Sequence, residues 1–118
     1  MRNILRLAVL LSAVLCLAHA ASGAEAVKLR PMTSAYMDNI GNPLKEPEGV
    51  AFDGKSLLAV ADTGNGKILL YTFRDERLAP QASFALPQLT YPVRMQFDPK
   101  GEILVLDGKT RRISRLTN

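Results

Sequence analysis

Hydrophobic positions fall into two kinds of run along the 118 residues. Near the N-terminus one continuous apolar run, Leu7 to Leu17, follows two cations, Arg2 and Arg6, and leads into the small residues Ala18, Ala20, Ala21, Ser22 and Ala24. From Gly49 onward the apolar runs are short and are separated by turn chemistry. Gly49 to Phe52 is a brief strand pattern, and Asp53-Gly54 is a tight-turn pair. Ser56 to Ala61 is a second apolar run that closes on Asp62, and Thr63-Gly64-Asn65-Gly66 supplies positions for positive φ. Lys67 to Phe73 reads as a third strand and Arg77 to Leu86 as a fourth. Pro80 and Pro87 suit an edge strand there, because a missing N–H at an edge costs no ladder bond.

The pattern repeats. Shifting the chain by 45 positions aligns residues 44–73 with 89–118 without a gap. Identical pairs are Leu44/Leu89, Pro47/Pro92, Phe52/Phe97, Asp53/Asp98, Lys55/Lys100, Val60/Val105, Asp62/Asp107, Ile68/Ile113 and Thr72/Thr117. Val50/Met95, Leu58/Ile103, Lys67/Arg112 and Tyr71/Leu116 are conservative pairs. A period of this length is the mark of a repeat architecture, in which each unit buries its faces against its neighbours.

The residues Pro47-Glu48-Gly49-Val50-Ala51-Phe52-Asp53-Gly54 and Leu58-Ala59-Val60-Ala61-Asp62-Thr63-Gly64-Asn65-Gly66-Lys67-Ile68 resemble the NHL-repeat signature. Its parts are a Pro-x-Gly-hydrophobic opening, an apolar strand closing on Val-x-Asp, and Asn-x-basic-Ile. The second copy keeps Pro92, Val105, Asp107, Arg112 and Ile113, but has Arg94 for the opening glycine and Thr110 for the asparagine. The resemblance implies an all-β fold of four-stranded antiparallel β-propeller blades. Repeat 1 spans 44–88, and repeat 2 spans 89–118, where Asn118 falls at the place of Phe73 and ahead of a fourth strand. Within the N-terminal segment 21–43, Leu29 to Met37 lies on Leu78 to Leu86 through Leu29/Leu78, Pro31/Pro80 and Ser34/Ser83, which suggests a closing outer strand. A closed propeller takes about four to eight blades. The chain is therefore expected to be part of a longer propeller, with a ring of several copies, a homo-oligomer, as the alternative.

The N-terminal run has the order of a signal peptide over residues 1–20: a basic start, an apolar stretch, and small residues at the cleavage site. Ala18-His19-Ala20 fits cleavage after Ala20, and Ser22-Gly23-Ala24 offers cleavage after Ala24. An apolar run of 11 residues is short for a membrane span, which needs about 20. Bulky Leu15 ahead of Cys16 argues against a lipid anchor. The expectation is export to the periplasm or the medium, with no stable span after cleavage.

Cleavage changes the chemistry available. Cys16 and His19 are the only cysteine and histidine and leave with the leader, which removes thiol nucleophiles, disulfides, Cys/His zinc sites and Ser-His-Asp triads from the mature chain. The formal charge of +4 becomes +2 when Arg2 and Arg6 go, and so small an excess selects no partner class.

The densest charge is the C-terminal group Lys109, Arg111, Arg112 and Arg115, with Arg94 nearby in the repeat frame. Arg94, Lys109, Arg111 and Arg112 are the candidate binding residues, as a basic loop face. Export and the lack of stacking aromatics in this stretch argue against nucleic acid. Asp62 and Asp107 stand where a carboxylate could meet calcium, but their recurrence points to turn hydrogen bonding, as it does for Asp53 and Asp98. Tyr36, Tyr71 and Tyr91 are pocket candidates, with Tyr71 expected in the core. Glu46 and Glu48 read as solvated charges beside Pro47. No metal, cofactor or catalytic residue is expected. The function that follows is a non-catalytic binding or scaffold module for a protein or small ligand. The alternative is a piece of a propeller enzyme of the amidating-lyase or lactonase type, with its site in blades outside this sequence.

Overall fold

Two antiparallel sheets, one of four strands and one of three, make up the structure, a computed structural model that describes residues 26–117. The expected signal peptide, with Cys16 and His19, and the terminal Asn118 lie outside the described residues. The first sheet is a meander of β1 (Pro47–Phe52), β2 (Leu57–Asp62), β3 (Lys67–Arg74) and β4 (Arg77–Phe84). The second contains β5 (Pro92–Phe97), β6 (Ile103–Asp107) and β7 (Ile113–Leu116), again in sequence order. The chain is thus all-β. Both sheets belong to a single compact unit that runs from Pro31.

The 45-residue period is written into the strand register. Pro47 stands opposite Asp62 and Pro92 opposite Asp107, and a bulge follows each proline, between Pro47 and Gly49 and between Pro92 and Arg94. Proline brings no N–H to the ladder, so a first strand position beside a bulge is where it fits. Pro80 shows the same logic in β4, an edge strand, where the register shifts between Leu70 and Tyr71 beside it.

The first hairpin of each sheet also recurs, with one physical difference. Asp53 N–H donates to Leu57 O, and Asp98 N–H to Glu102 O, so both hairpins enclose three residues. The left-handed residue is the first of the three in one copy, Gly54 (φ 78°), and the third in the other, Gly101 (φ 83°). Pro99 holds the first position of the second loop, and its ring excludes positive φ there. The left-handed conformation moves to the end, as in a type I turn followed by a left-handed glycine.

Side-chain alternation then sorts the residues by face. Ala51, Ala59, Ile68 and Leu70 of the first sheet pack against Met95, Phe97, Ile103, Val105 and Leu116 of the second, with Leu86 and Leu89 of the connection completing the core. On β1 and β2 the first sheet presents alanines, and Ile68 and Leu70 of β3 join the large residues of the second sheet. Close approach is strictest at Gly49, where a Cβ would lie 2.6 Å from the Val93 carbonyl oxygen and 3.3 Å from the Ala61 Cβ. The opposite face of the first sheet builds a second core from Val60, Leu69 and Tyr71, covered by Ala35, Leu44, Leu58 and Leu78. Val50 and Phe52 on β1 remain 63 % and 46 % exposed, Phe52 touching only the edge of the Phe73 ring at 6.1 Å among aromatic partners.

Residues 26–36 have no regular secondary structure and add no strand to either of the two sheets. The chain instead turns through Asp38–Asn42, with Met37 bridged to Pro43. Ala35 and Leu44 then lie on the second core.

Candidate functional site

Antiparallel meanders bring alternate connections to one end. Here the turn after β2, a 3-10 turn at Thr63–Asn65 closed by Gly66, shares an end with the link 85–91 and the turn 108–112 after β6. A shallow concavity of about 490 Å³ between the first turn and the link is lined by Gly64, Asn65, Gly66, Ala85, Leu86, Pro87 and Thr90. The Thr63 hydroxyl, buried, donates to the Pro92 carbonyl at 2.6 Å and locks the first turn to the start of β5.

Paired aspartates stand at the start of both turns. Asp107 accepts N–H bonds from Lys109 (2.9 Å) and Thr110 (2.7 Å) in the following turn and from Tyr91 (3.0 Å) before β5. The Thr110 N–H is the largest of the influences that hold its carboxyl below the usual range; burial opposes it, and the Tyr91 N–H, the Thr110 hydroxyl and the Lys109 N–H add to it. Asp62 makes a different set. Its Oδ1 accepts from Lys45 N–H at 2.7 Å and its Oδ2 from the Asn65 amide at 2.8 Å, so it clamps the segment ahead of β1 rather than the backbone of its own turn. Asp53 accepts from Lys55, Ser56 and Leu57 N–H, and Asp98 from Lys100 and Glu102 N–H. These bonds satisfy the carboxylates at the hairpins.

The basic residues do not form one cluster. Lys109, Arg111 and Arg112 are all exposed in the turn after β6, and Arg94 is exposed on β5 one ladder pair away, opposite Leu106. Arg115 goes to the other end of the second sheet, where its guanidinium meets Glu102 at 3.1 Å and Asp98 at 3.8 Å. The reason is strand geometry. Arg115 lies within β7 opposite Leu104, and each β-residue advances about 3.3 Å, which carries it away from the turn. Among the described residues no ion pair holds Arg94, Lys109, Arg111 or Arg112. The Lys109 ammonium stands 5.3 Å from the centre of the Tyr91 ring, a cation–π distance.

Arg111 carries backbone strain as well as charge. Its φ is 58°, matching the 62° of Gly66 at the equivalent place in the first copy. Its N–H bonds to Asp107 O at 2.9 Å, which holds the turn in this form. Non-glycine residues pay for this conformation.

Tyr71 is a core residue, 2 % exposed, and its hydroxyl donates to Met37 O at 2.7 Å. Burial raises its pKa, with Asp62 and Asp38 adding to the effect. Tyr36 is 73 % exposed. Tyr91 donates to Glu48 at 3.5 Å, and the charges of Glu48 and Glu46, with some burial, raise its pKa. Glu46 and Glu48 are exposed.

Asp38 is a buried residue that the sequence reading passed over. Its carboxylate takes N–H bonds from Ile40 (3.0 Å) and Asn42 (2.8 Å) and the Asn42 amide (3.1 Å), and Lys67 Nζ stands 3.5 Å away. Burial opposes its ionisation, yet these bonds and the Lys67 charge outweigh it and hold the pKa at about 2. Asp-Asn-Ile-Gly-Asn-Pro at 38–43 is turn composition, and that is the signal that marks it.

At the far end, a cleft of about 400 Å³ runs between the sheets past Leu57, Leu70, Phe84, Phe97, Glu102 and Leu116. Among the described residues no group of three or more His, Cys, Asp or Glu side chains is placed to hold a metal ion, and no helix is long and apolar enough to cross a membrane. No family model matches the chain, and no curated protein matches it.

Proposed function

We propose that this chain is an exported NHL-type β-propeller portion that serves as a non-catalytic binding or scaffold module, and that it engages an anionic group of a protein or small ligand. The observation that carries this reading is the exposed basic group Arg94, Lys109, Arg111 and Arg112, gathered at one end without carboxylate partners among the described residues. Two antiparallel sheets that follow a 45-residue period and pack face to face support the blade reading. Function on such a scaffold resides in the connecting loops rather than in the strands.

The test is a titration of the purified chain, produced with its own leader, with polyglutamate as probe, followed by backbone amide NMR. Shifts concentrated at 108–112 and around Arg94, weakened by salt and lost in a Lys109→Glu, Arg111→Glu, Arg112→Glu variant, are expected. Shifts that are absent, or that survive the charge reversal, overturn the reading. Intact mass of the exported product examines the location separately: loss of residues 1–20 or 1–24 is expected, and an uncleaved chain retained in the cytoplasm refutes export.

A further inference from the structure

Two side chains latch the turn after β2 to the segment ahead of β1. The Asn65 amide donates to Asp62 Oδ2 at 2.8 Å and to Pro43 O at 3.1 Å. Asp62, buried, holds the Lys45 N–H on its other oxygen at 2.7 Å, and Gly64 N–H donates to Lys45 O at 2.8 Å. These bonds keep residues 43–45 on the turn, and Leu44 among them lies on the core of Val60, Leu69 and Tyr71. The residue after Asn65 has to be small: Gly66 adopts φ 62°, and a Cβ there would stand 2.9 Å from the Thr90 carbonyl oxygen. Latch and turn together therefore favour Asn followed by Gly, the pair in which a side-chain amide lies beside the least hindered backbone nitrogen. The other asparagines within 26–117 differ in this. Asn39 precedes branched Ile40, and Asn42 precedes Pro43, whose nitrogen carries no hydrogen. In the second copy the same places hold Thr110 and Arg111, and the Thr110 hydroxyl bonds to Asp107 as the Asn65 amide bonds to Asp62.

We propose that Asn65–Gly66 is a site of spontaneous deamidation, held off while the turn is closed, and that conversion there releases the latch on residues 43–45 for good. The Gly66 nitrogen gives its proton to base, and its electron pair forms a bond to Asn65 Cγ. The Cγ–Nδ2 bond breaks, ammonia leaves with a proton taken up in exchange, and a cyclic imide closes. Water then adds to either imide carbonyl and reopens the ring, leaving aspartate or iso-aspartate in place of Asn65. In the folded chain both reacting groups are engaged. Gly66 N–H is donated to Thr63 O at 3.1 Å and the amide is held by its two acceptors, so the reaction waits for local opening of the turn. The product does not restore the latch. A carboxylate has no hydrogen for Pro43 O, and it sets a second negative charge against the buried Asp62 carboxylate at hydrogen-bond distance. Asp62 relieves the repulsion by turning away or by binding a proton, and either change loosens its hold on the Lys45 N–H. The iso-aspartyl form also lengthens the backbone by a carbon beside Gly66, where the Thr90 carbonyl leaves no slack. Conversion runs one way, so the modified fraction records how long the turn has spent open. This inference rests on the hydrogen bonds of the first turn and is independent of the basic end face.

The test incubates the purified chain in warm, mildly alkaline buffer with and without denaturing urea, and peptide mass mapping follows the change from NH2 to OH at Asn65. Asp53–Gly54 and Asp107–Gly108 close the same kind of ring only by losing and regaining water, which leaves their mass unchanged. Conversion is expected to run at least about tenfold faster in urea than in the folded chain. Asn65→Thr, which copies Thr110, is expected to keep its mass in both. The latch is read by amide hydrogen exchange in freshly prepared Asn65→Asp, where the Lys45 and Gly64 N–H groups are expected to exchange at least about tenfold faster than in the native chain. Asn65→Thr is expected to lie nearer the native rate. Circular dichroism reports folding. If Asn65→Asp loses its β signal, Asn65→Ala, which removes both donors without adding charge, is read in its place with a smaller expected acceleration. A chain that does not convert in urea, or that converts equally fast folded and unfolded, overturns the deamidation site. A folded variant that exchanges Lys45 and Gly64 at the native rate overturns the latch.

Discussion

Gly49→Ala isolates the closest approach between the two sheets. The added methyl carbon would stand 2.6 Å from the Val93 carbonyl oxygen, 3.1 Å from its carbon and 3.3 Å from the Ala61 Cβ. Two of these three neighbours are backbone atoms of β5, so relief requires the sheets to part rather than a rotamer to change. Overpacking of this kind costs about 1–3 kcal/mol. Gly49 has no positive φ, so alanine meets no backbone strain and gains about 0.4–1 kcal/mol from a less free unfolded chain. The net loss is centred on about 1.3 kcal/mol, or about 5–10 °C in Tm for a domain of this size. Thermal and urea melts of the native chain, Gly49→Ala and Arg94→Gly measure it. Arg94 occupies the same place in the second copy with no sheet upon it, so trimming it is expected to shift Tm far less. A Gly49→Ala protein as stable as the native chain would refute the close-approach argument.

Three further outcomes follow from other parts of the structure. Arg111→Gly is expected to raise stability by about 0.5–1 kcal/mol, since it relieves a left-handed residue that glycine adopts freely; a lower urea midpoint would contradict that account. Tyr71→Phe removes the hydroxyl that donates to Met37 O and leaves that carbonyl without this partner, so a loss of about 1 kcal/mol is expected, read from the same melts. Asp38 binds its proton less readily folded than unfolded, so it stabilises the fold above about pH 4, and this contribution disappears as pH falls through its folded value of about 2. Asp53, Asp98 and Asp107 are lowered in the same direction and act with it. Urea midpoints that decline between pH 4 and pH 2, with a shallower decline in Asp38→Asn, are expected; an unchanged slope in Asp38→Asn would remove Asp38 from the account.

The sequence by itself determined the local structure. Proline at the opening of each sheet, aspartate at each hairpin and glycine in all but the β3–β4 turn bias the backbone within a few residues, and the 45-residue period repeats those biases. The strands of the first sheet accordingly fall close to the predicted runs, with β1 starting at Pro47 and β4 ending at Phe84. The periodic Asp62 and Asp107 were legible as hydrogen-bonding residues, but not that Asp62 would reach back to Lys45, a partner 17 residues away. Only the tertiary structure decided that Arg115 leaves the basic group, because which end of a sheet a side chain reaches depends on strand register. It alone decided that Ala35 and Leu44 lie over Val60, Leu69 and Tyr71, since that contact joins residues far apart in the chain. It also decided the meaning of the Gly49/Arg94 difference. In the repeat alignment that pair is a mismatch; in space Gly49 admits the Val93 carbonyl of the second sheet at backbone distance, while Arg94 stands exposed on the outer face of that sheet. Local preference is carried by each residue and its neighbours, whereas the distance between two sheets is set by every side chain that lies between them.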